Sequence, residues 1–229
     1  MEEAFVQGYR EMTDGGRRWF AVHFDGVDSG RIADVLAHQD PPIDYFIPVR
    51  MNTRRLANGT NKQEERAVFK NVMFFREPKE GTSDKELLQL FNGKTCTVKP
   101  DSQASLQDDG APGKTSFPDL TKYVYIMKYH PDDAHYTGIK GSEMYDFMIF
   151  CAPERDVDLI VTTDTQKYAR KGDWVVVTHG PLSGQKGVLV RKSKHYYLLK
   201  NILGLGLMVQ VTKWTCQPID KDGKMIRGK

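Results

Sequence analysis

The sequence predicts an α+β N-terminal unit followed by a small all-β barrel, and three observations carry that reading. Residues 172–219 contain three short apolar runs, one opening at Trp174-Val-Val-Val177, then Tyr197–Ile202 and Leu207–Val211. They are punctuated by Gly180-Pro181, Gly184 and Gly187 at turn spacing, as tightly cornered strands require. Upstream, segments of alternating polarity interleave with segments of helical periodicity. Finally, 39% of the 229 residues are hydrophobic and 28% charged, and no apolar run approaches the roughly 18 residues that a membrane helix requires. A chain of this length can bury two cores.

Taken in order, residues 1–18 are polar, end in Asp14-Gly-Gly-Arg-Arg18 and read as a tail. Trp19–Phe24 alternates as a strand, with Phe20, Val22 and Phe24 on one face and Trp19, Ala21 and His23 on the other. Asp28 or Ser29 can cap a short helix whose inner side is Ile32, Val35 and Leu36, ended by Asp40-Pro-Pro. Ile43–Val49 reads as a second strand, bent or placed at an edge by Pro48. Residues 50–66 form a basic excursion around Asn58-Gly59, and Val68–Phe75 returns, so a long hairpin is expected. Ser83-Asp-Lys-Glu86 matches a capping box ahead of Leu87, Leu88, Leu90 and Phe91, with Gly93 at the stop.

Residues 100–119 are rich in Pro, Asp, Ser, Gln and Gly and read as a mobile insertion. Tyr123–Tyr129 is the next strand. Ser142–Phe150 is a third helix, with Met144, Phe147 and Met148 at helical spacing and Pro153 beyond it. The first domain therefore spans 19–153. Residues 154–170 form a linker with a leading strand over Val157–Thr162, 171–219 form the barrel, and 220–229 a C-terminal tail.

Charge is distributed unevenly along the chain. The net charge is +3, yet residues 158–219 hold nine Lys/Arg against three Asp/Glu, while the first 157 residues are net acidic. Within that acidic part, residues 50–70 hold six basic and two acidic side chains. Concentrated positive charge suggests localised phosphate contact. Arg50, Arg54, Arg55, Lys62 and Arg66 are the candidates, since arginine forks bind phosphate oxygens without reading sequence.

In the barrel, Lys186, Arg191, Lys192 and Lys194 beside Tyr196 and Tyr197 form a second basic and aromatic group. Cys96, Cys151 and Cys216 are scattered, odd in number and without a CxxC, as expected of reduced cytoplasmic thiols. The acidic start Met1-Glu-Glu-Ala-Phe carries no secretory h-region. His130-Pro-Asp-Asp-Ala-His135 lacks the spacing of a helical metal motif, and Gly204-Leu-Gly206 has no helix after it. No catalytic residues, metal or cofactor are expected; the chemistry points to a binding protein.

Several of these segments resemble a known family. The Gly-Pro-punctuated run is similar to the KOW motif, an SH3-like barrel. Trp19-Phe20, Ile47-Pro48, the hairpin and Ile139-Lys-Gly-Ser-Glu-Met-Tyr-Asp-Phe-Met148 resemble the NusG N-terminal domain, an antiparallel sheet with flanking helices. The resemblance runs from Trp19 to Ile219. The longer insertion and the Glu-Met-x-x-Phe helix look most like specialised paralogues such as the UpxY-type antiterminators of capsular polysaccharide operons. Where the family often has Phe-Pro-Gly-Tyr, this chain has Phe69-Lys-Asn-Val72.

The resemblance implies a transcription elongation and antitermination factor. Trp19, Phe69 and Val72 would meet the RNA polymerase clamp, and the basic hairpin non-template DNA or nascent RNA. Leu182, Ile202 and Leu203 would meet a second factor, either a ribosomal protein or Rho. A monomer without membrane contact is expected. Some relatives fold this C-terminal domain as a helical hairpin; the glycines at 180, 184, 187, 204 and 206 disfavour that here. The alternative is a KOW-type RNA- or ribosome-binding protein that never touches polymerase.

Overall fold

The computed structural model describes residues 2–55, 57, 59–93, 95–97, 114–116, 118–152, 159–162, 173–180, 182–220 and 223–226. It is a mixed α/β molecule with antiparallel sheets, a few helices and a six-stranded all-β region.

The N-terminal segment read as a tail is helical. Helix α1 (Glu2–Thr13) turns Tyr9 and Met12 onto the core. Tyr9 meets Phe46 edge-on at 6.0 Å. Polar helices this short are marginal alone, so remote packing partners, invisible in the local sequence, sustain it. The chain after it is also pinned: Arg18 N–H donates to Glu77 Oε1 at 2.6 Å, and the buried Arg76 guanidinium donates to the Asp14 carbonyl and to Asp44.

Strand β1 (Trp19–Phe24), helix α2 (Ser29–Ala37) and strand β2 (Tyr45–Phe46) follow. Asp28 caps α2 by accepting from Arg31 N–H at 3.0 Å. The strand expected over Ile43–Val49 is broken in two. Pro48 cannot donate to a ladder, and the chain leaves the sheet at that residue to begin β3 (Val49–Arg55). β3 pairs only with β4 (Asn61–Ala67), so the basic hairpin is a separate two-stranded ribbon. Strand β5 (Val72–Arg76) is buried along its whole length, and the capping box holds as expected on α3 (Asp84–Gln89).

Short strands β6 (Thr95–Thr97) and β7 (Lys114–Ser116) pair with each other. The insertion expected at 100–119 lies largely outside the described residues, between and just after them. Strand β8 (Val124–Ile126) and helix α4 (Gly141–Cys151) complete this unit. The main sheet has the order β2-β5-β1-β8, antiparallel throughout, with Phe20 opposite Phe75 and Val22 opposite both Met73 and Ile126. Phe20, Val22 and Phe24 face α2 and α3, in a cluster with Ile32, Leu36, Leu87 and Phe91. The opposite face is covered as well: Trp19, Ala21 and Phe74 share a cluster with Met144, Phe147, Met148 and Phe150 of α4.

The C-terminal region consists of β9 (Leu159–Thr162), β10 (Asp173–Val177), β11 (Lys186–Lys192), β12 (His195–Ile202), β13 (Leu205–Val211), a 3₁₀ turn at Lys213–Thr215 and β14 (Cys216–Pro218). The sheet order is β14-β10-β11-β12-β13-β9. Both faces are buried: Leu198, Leu207 and Val209 join the cluster containing α4, whereas Val188, Val190, Leu199 and Met208 form a second one. A Cβ at Gly187 would lie 2.7 Å from the Leu199 carbonyl oxygen, so β11 and β12 approach this closely only without a side chain there. The segment read as a C-terminal tail begins with a turn, in which Asp220 accepts from Lys224 N–H at 2.8 Å and Ile219 bridges Met225.

Candidate functional site

The three apolar anchors do not lie at the surface. Trp19 is 0% exposed, Phe69 4% and Val72 6%. Alternation sets Trp19 opposite Phe20, but α4 covers that second face. Mutual backbone hydrogen bonds, Trp19 N–H to the Ile139 carbonyl (2.9 Å) and Ile139 N–H back (2.7 Å), lock the strand to the segment leading into α4. Phe69 stacks on Phe147 with centroids 6.1 Å apart and planes 10° apart. The expectation of a surface role for Trp19 is therefore corrected: it is core, and its indole N–H has no acceptor among the described residues.

The ribbon gives the basic residues a common geometry. Arg50 lies opposite Arg66, and Arg54 opposite Lys62. Because cross-strand partners share a face and alternate residues return to it, the register puts Arg50, Lys62 and Arg66 on one side. Arg55 pairs with Asn61 and lies on the other. Glu64 is the acidic residue on the basic face, 3.3 Å from Lys62 and 3.7 Å from Arg66. Lys62 and Arg66 share that one carboxylate. Arg55, Lys62 and Arg66 are exposed. Like charges directly opposite destabilise a two-stranded ribbon, and Glu64 offsets this for Lys62 and Arg66.

In the C-terminal sheet, two of the three residues expected to meet a second factor are buried. Leu182 is 3% exposed and Ile202 8%. The turn at Ser183 and Gly184, closed by Gly184 N–H to the Val177 carbonyl at 2.7 Å, folds Leu182 inward. Leu203 and Gly204, with φ of 50° and 80°, form a two-residue hairpin turn between β12 and β13, as strand twist favours. Leu205 is then already in a strand, paired with Ile202. Leu182 and Ile202 are thus corrected to core positions, and only Leu203 and Leu205 remain half-buried.

Sequence reading missed a junction between the two regions. Lys200 Nζ on β12 lies 2.9 Å from Asp146 Oδ2 on α4, with side-chain exposures of 13% and 44%. Burial pushes the Lys200 ammonium below its usual range, and Asp146 offsets only part of that. Cys151, at the end of α4, is buried and its thiol is pushed far up by desolvation. The available signal was the end of α4: Phe147, Met148, Ile149, Phe150 and Cys151 run consecutively, and a helical turn apolar on all sides must be covered on more than one.

Among the described residues, no group of three or more His, Cys, Asp and Glu could hold a metal ion. His130 and Asp133 close a turn on each other, while His135 Nδ1 lies 3.2 Å from Asp84 on α3. No helix among the described residues is long and apolar enough to cross a membrane. Neither protein-family models nor curated proteins give a match to this chain.

Proposed function

We propose that this chain is a transcription elongation and antitermination factor of the NusG type. In this reading the N-terminal unit binds RNA polymerase, and the C-terminal sheet is a KOW-type barrel that binds a second protein. The observation that carries it is the order of parts. A four-stranded antiparallel sheet between helices projects a ribbon carrying exposed cations, and a small all-β unit with a Gly-Pro turn follows. Such a protein acts by binding rather than by catalysis, shifting polymerase between paused and elongating states according to its relative affinity for each.

The buried anchors refine the mechanism. Phe69 and Val72 lie in the same apolar cluster as Leu198, Leu207 and Val209 of the C-terminal sheet, so a contact through them requires that cluster to open. The exposed cations of the ribbon are accessible without any rearrangement, and we assign the first contact to them.

Capture of nucleic-acid-free core RNA polymerase on the immobilised full chain tests this. The wild type should retain polymerase from its own source. A variant carrying Arg55→Glu, Lys62→Glu and Arg66→Glu, all at exposed positions, should lose most of it while keeping its thermal transition. A folded wild type that retains no polymerase would overturn the reading.

A further inference from the structure

We infer that Asn92-Gly93 is a site of spontaneous covalent modification, where the chain cyclises, loses ammonia and reopens in part through an isoaspartyl bond. Asparagine is among the thermally labile residues, because the backbone nitrogen of the next residue can attack its side-chain carbonyl. A following glycine, which has no Cβ to obstruct the approach, permits that attack most readily. The chain contains two such pairs, Asn58-Gly59 and Asn92-Gly93. Asn58 lies outside the described residues; Asn92 and Gly93 lie within them.

The fold leaves both reacting groups unengaged. Asn92 is exposed and stands in a bend beyond α3, which has ended at Gln89. Its backbone N–H donates to the Gln89 carbonyl at 3.1 Å. Its side chain makes no hydrogen bond among the described residues, and the Gly93 amide finds no acceptor there. Asn201 is held differently. It precedes the β-branched Ile202 and lies in β12 opposite Gly206, where the ladder fixes its backbone.

The step needs no reagent but water. The Gly93 nitrogen bonds to Cγ of Asn92, the Cγ–Nδ2 bond breaks, and the Gly93 amide proton leaves with Nδ2 as ammonia. The cyclic imide then takes up water. Opening at Cγ gives aspartate; opening at the backbone carbonyl gives isoaspartate, whose main chain runs through Cγ and is one carbon longer. Either product adds a carboxylate and lowers the net charge of +3 by one. Only the second disturbs packing. Phe91, the preceding residue, is fully buried, meets Phe75 edge-on at 5.3 Å and accepts Leu120 N–H at 2.8 Å through its carbonyl. A carbon inserted directly after a residue so fixed must strain that core contact.

Peptide mapping by mass spectrometry tests the assignment, with the full chain kept folded in mildly alkaline buffer at physiological temperature. The peptide containing Asn92 should gain about 1 Da over days, as loss of an amide to a carboxylate requires, while the peptide containing Asn201 stays unchanged. An isoaspartyl carboxyl methyltransferase supplied with S-adenosylmethionine should label the Asn92 peptide, since it esterifies the isoaspartyl carboxylate. Gly93→Ala should slow the change several-fold. The aged wild type should also unfold at lower urea than Asn92→Asp aged in parallel, which carries the charge without the longer chain.

An intact amide at Asn92, or a gain there no faster than at Asn201, would overturn the inference. So would an unchanged rate in folded Gly93→Ala, because the attacking nitrogen would then not be the one assigned. Aspartate without any methyl label would remove the isoaspartyl branch.

Discussion

At Gly141 a single methyl group decides whether two helices can meet. A Cβ built there would fall 2.1 Å from the Thr13 carbonyl oxygen, so the end of α1 rests directly on the start of α4. Backbone cannot yield as a flexible side chain does. Gly141→Ala should therefore cost about 1–3 kcal/mol, the usual range for overpacking, and should loosen α1 before the sheet. Urea unfolding would report the loss, and tryptic cleavage after Arg10 should accelerate under native conditions. An unchanged urea midpoint with unchanged cleavage would show that α1 does not depend on this contact. In the sequence Gly141 stands just ahead of the helix expected from Ser142. What makes the residue critical is a carbonyl more than 120 positions away in the chain, and no local pattern encodes that.

Elements were legible where their determinants are local. The capping box of α3 is one such case: Ser83 and Glu86 satisfy each other's backbone donors within four residues, and β1 is another, with its alternation written in six. The misreadings share the opposite cause. α1 is stabilised by Tyr9 against Phe46, Trp19 reads as outward-facing because α4 lies far along the chain, and Leu182 points inward only once its turn has closed. The ribbon residues stand out by charge, but their common face required the register. The capping box also yields a prediction at this scale. Ser83→Ala should destabilise the molecule by about 1 kcal/mol, a typical N-cap loss. The Glu86 carboxyl is held below its ordinary value, chiefly by its hydrogen bonds with Ser83. Stabilisation from a depressed carboxyl is present above the ordinary value and is lost as pH falls through the folded one. The penalty of Ser83→Ala should then shrink in acid, and thermal melts of both proteins at neutral and acid pH would show it. A penalty independent of pH would mean that Glu86 takes no part in the cap.

At the scale of the whole molecule, Lys200 and Asp146 link β12 to α4 across the junction of the two regions. The ammonium is mostly buried while the carboxylate is 44% exposed, so solvent screens the pair from one side. Removing the carboxylate alone strands a buried cation. Asp146→Asn should therefore cost about 1–2 kcal/mol, less than the 3–5 typical of fully buried pairs. Lys200→Met keeps the stem and deletes the charge, so it should cost less than Asp146→Asn. The pH dependence has a definite sign. Burial depresses the folded pKa of Lys200 below its ordinary value of 10.5, so between the two values the unfolded chain holds more protons, and the stability contributed by Lys200 rises with pH. The stability of the wild type relative to Lys200→Met, taken from urea midpoints, should increase as pH climbs through that window. The titrating group is absent from the variant, which cancels every other alkaline transition common to both proteins. A flat difference would mean that Lys200 is solvated in solution and that the C-terminal sheet does not rest on α4 as described. A rising difference would place a buried cation at the junction, where opening of the apolar cluster around Phe69 and Val72 would have to begin.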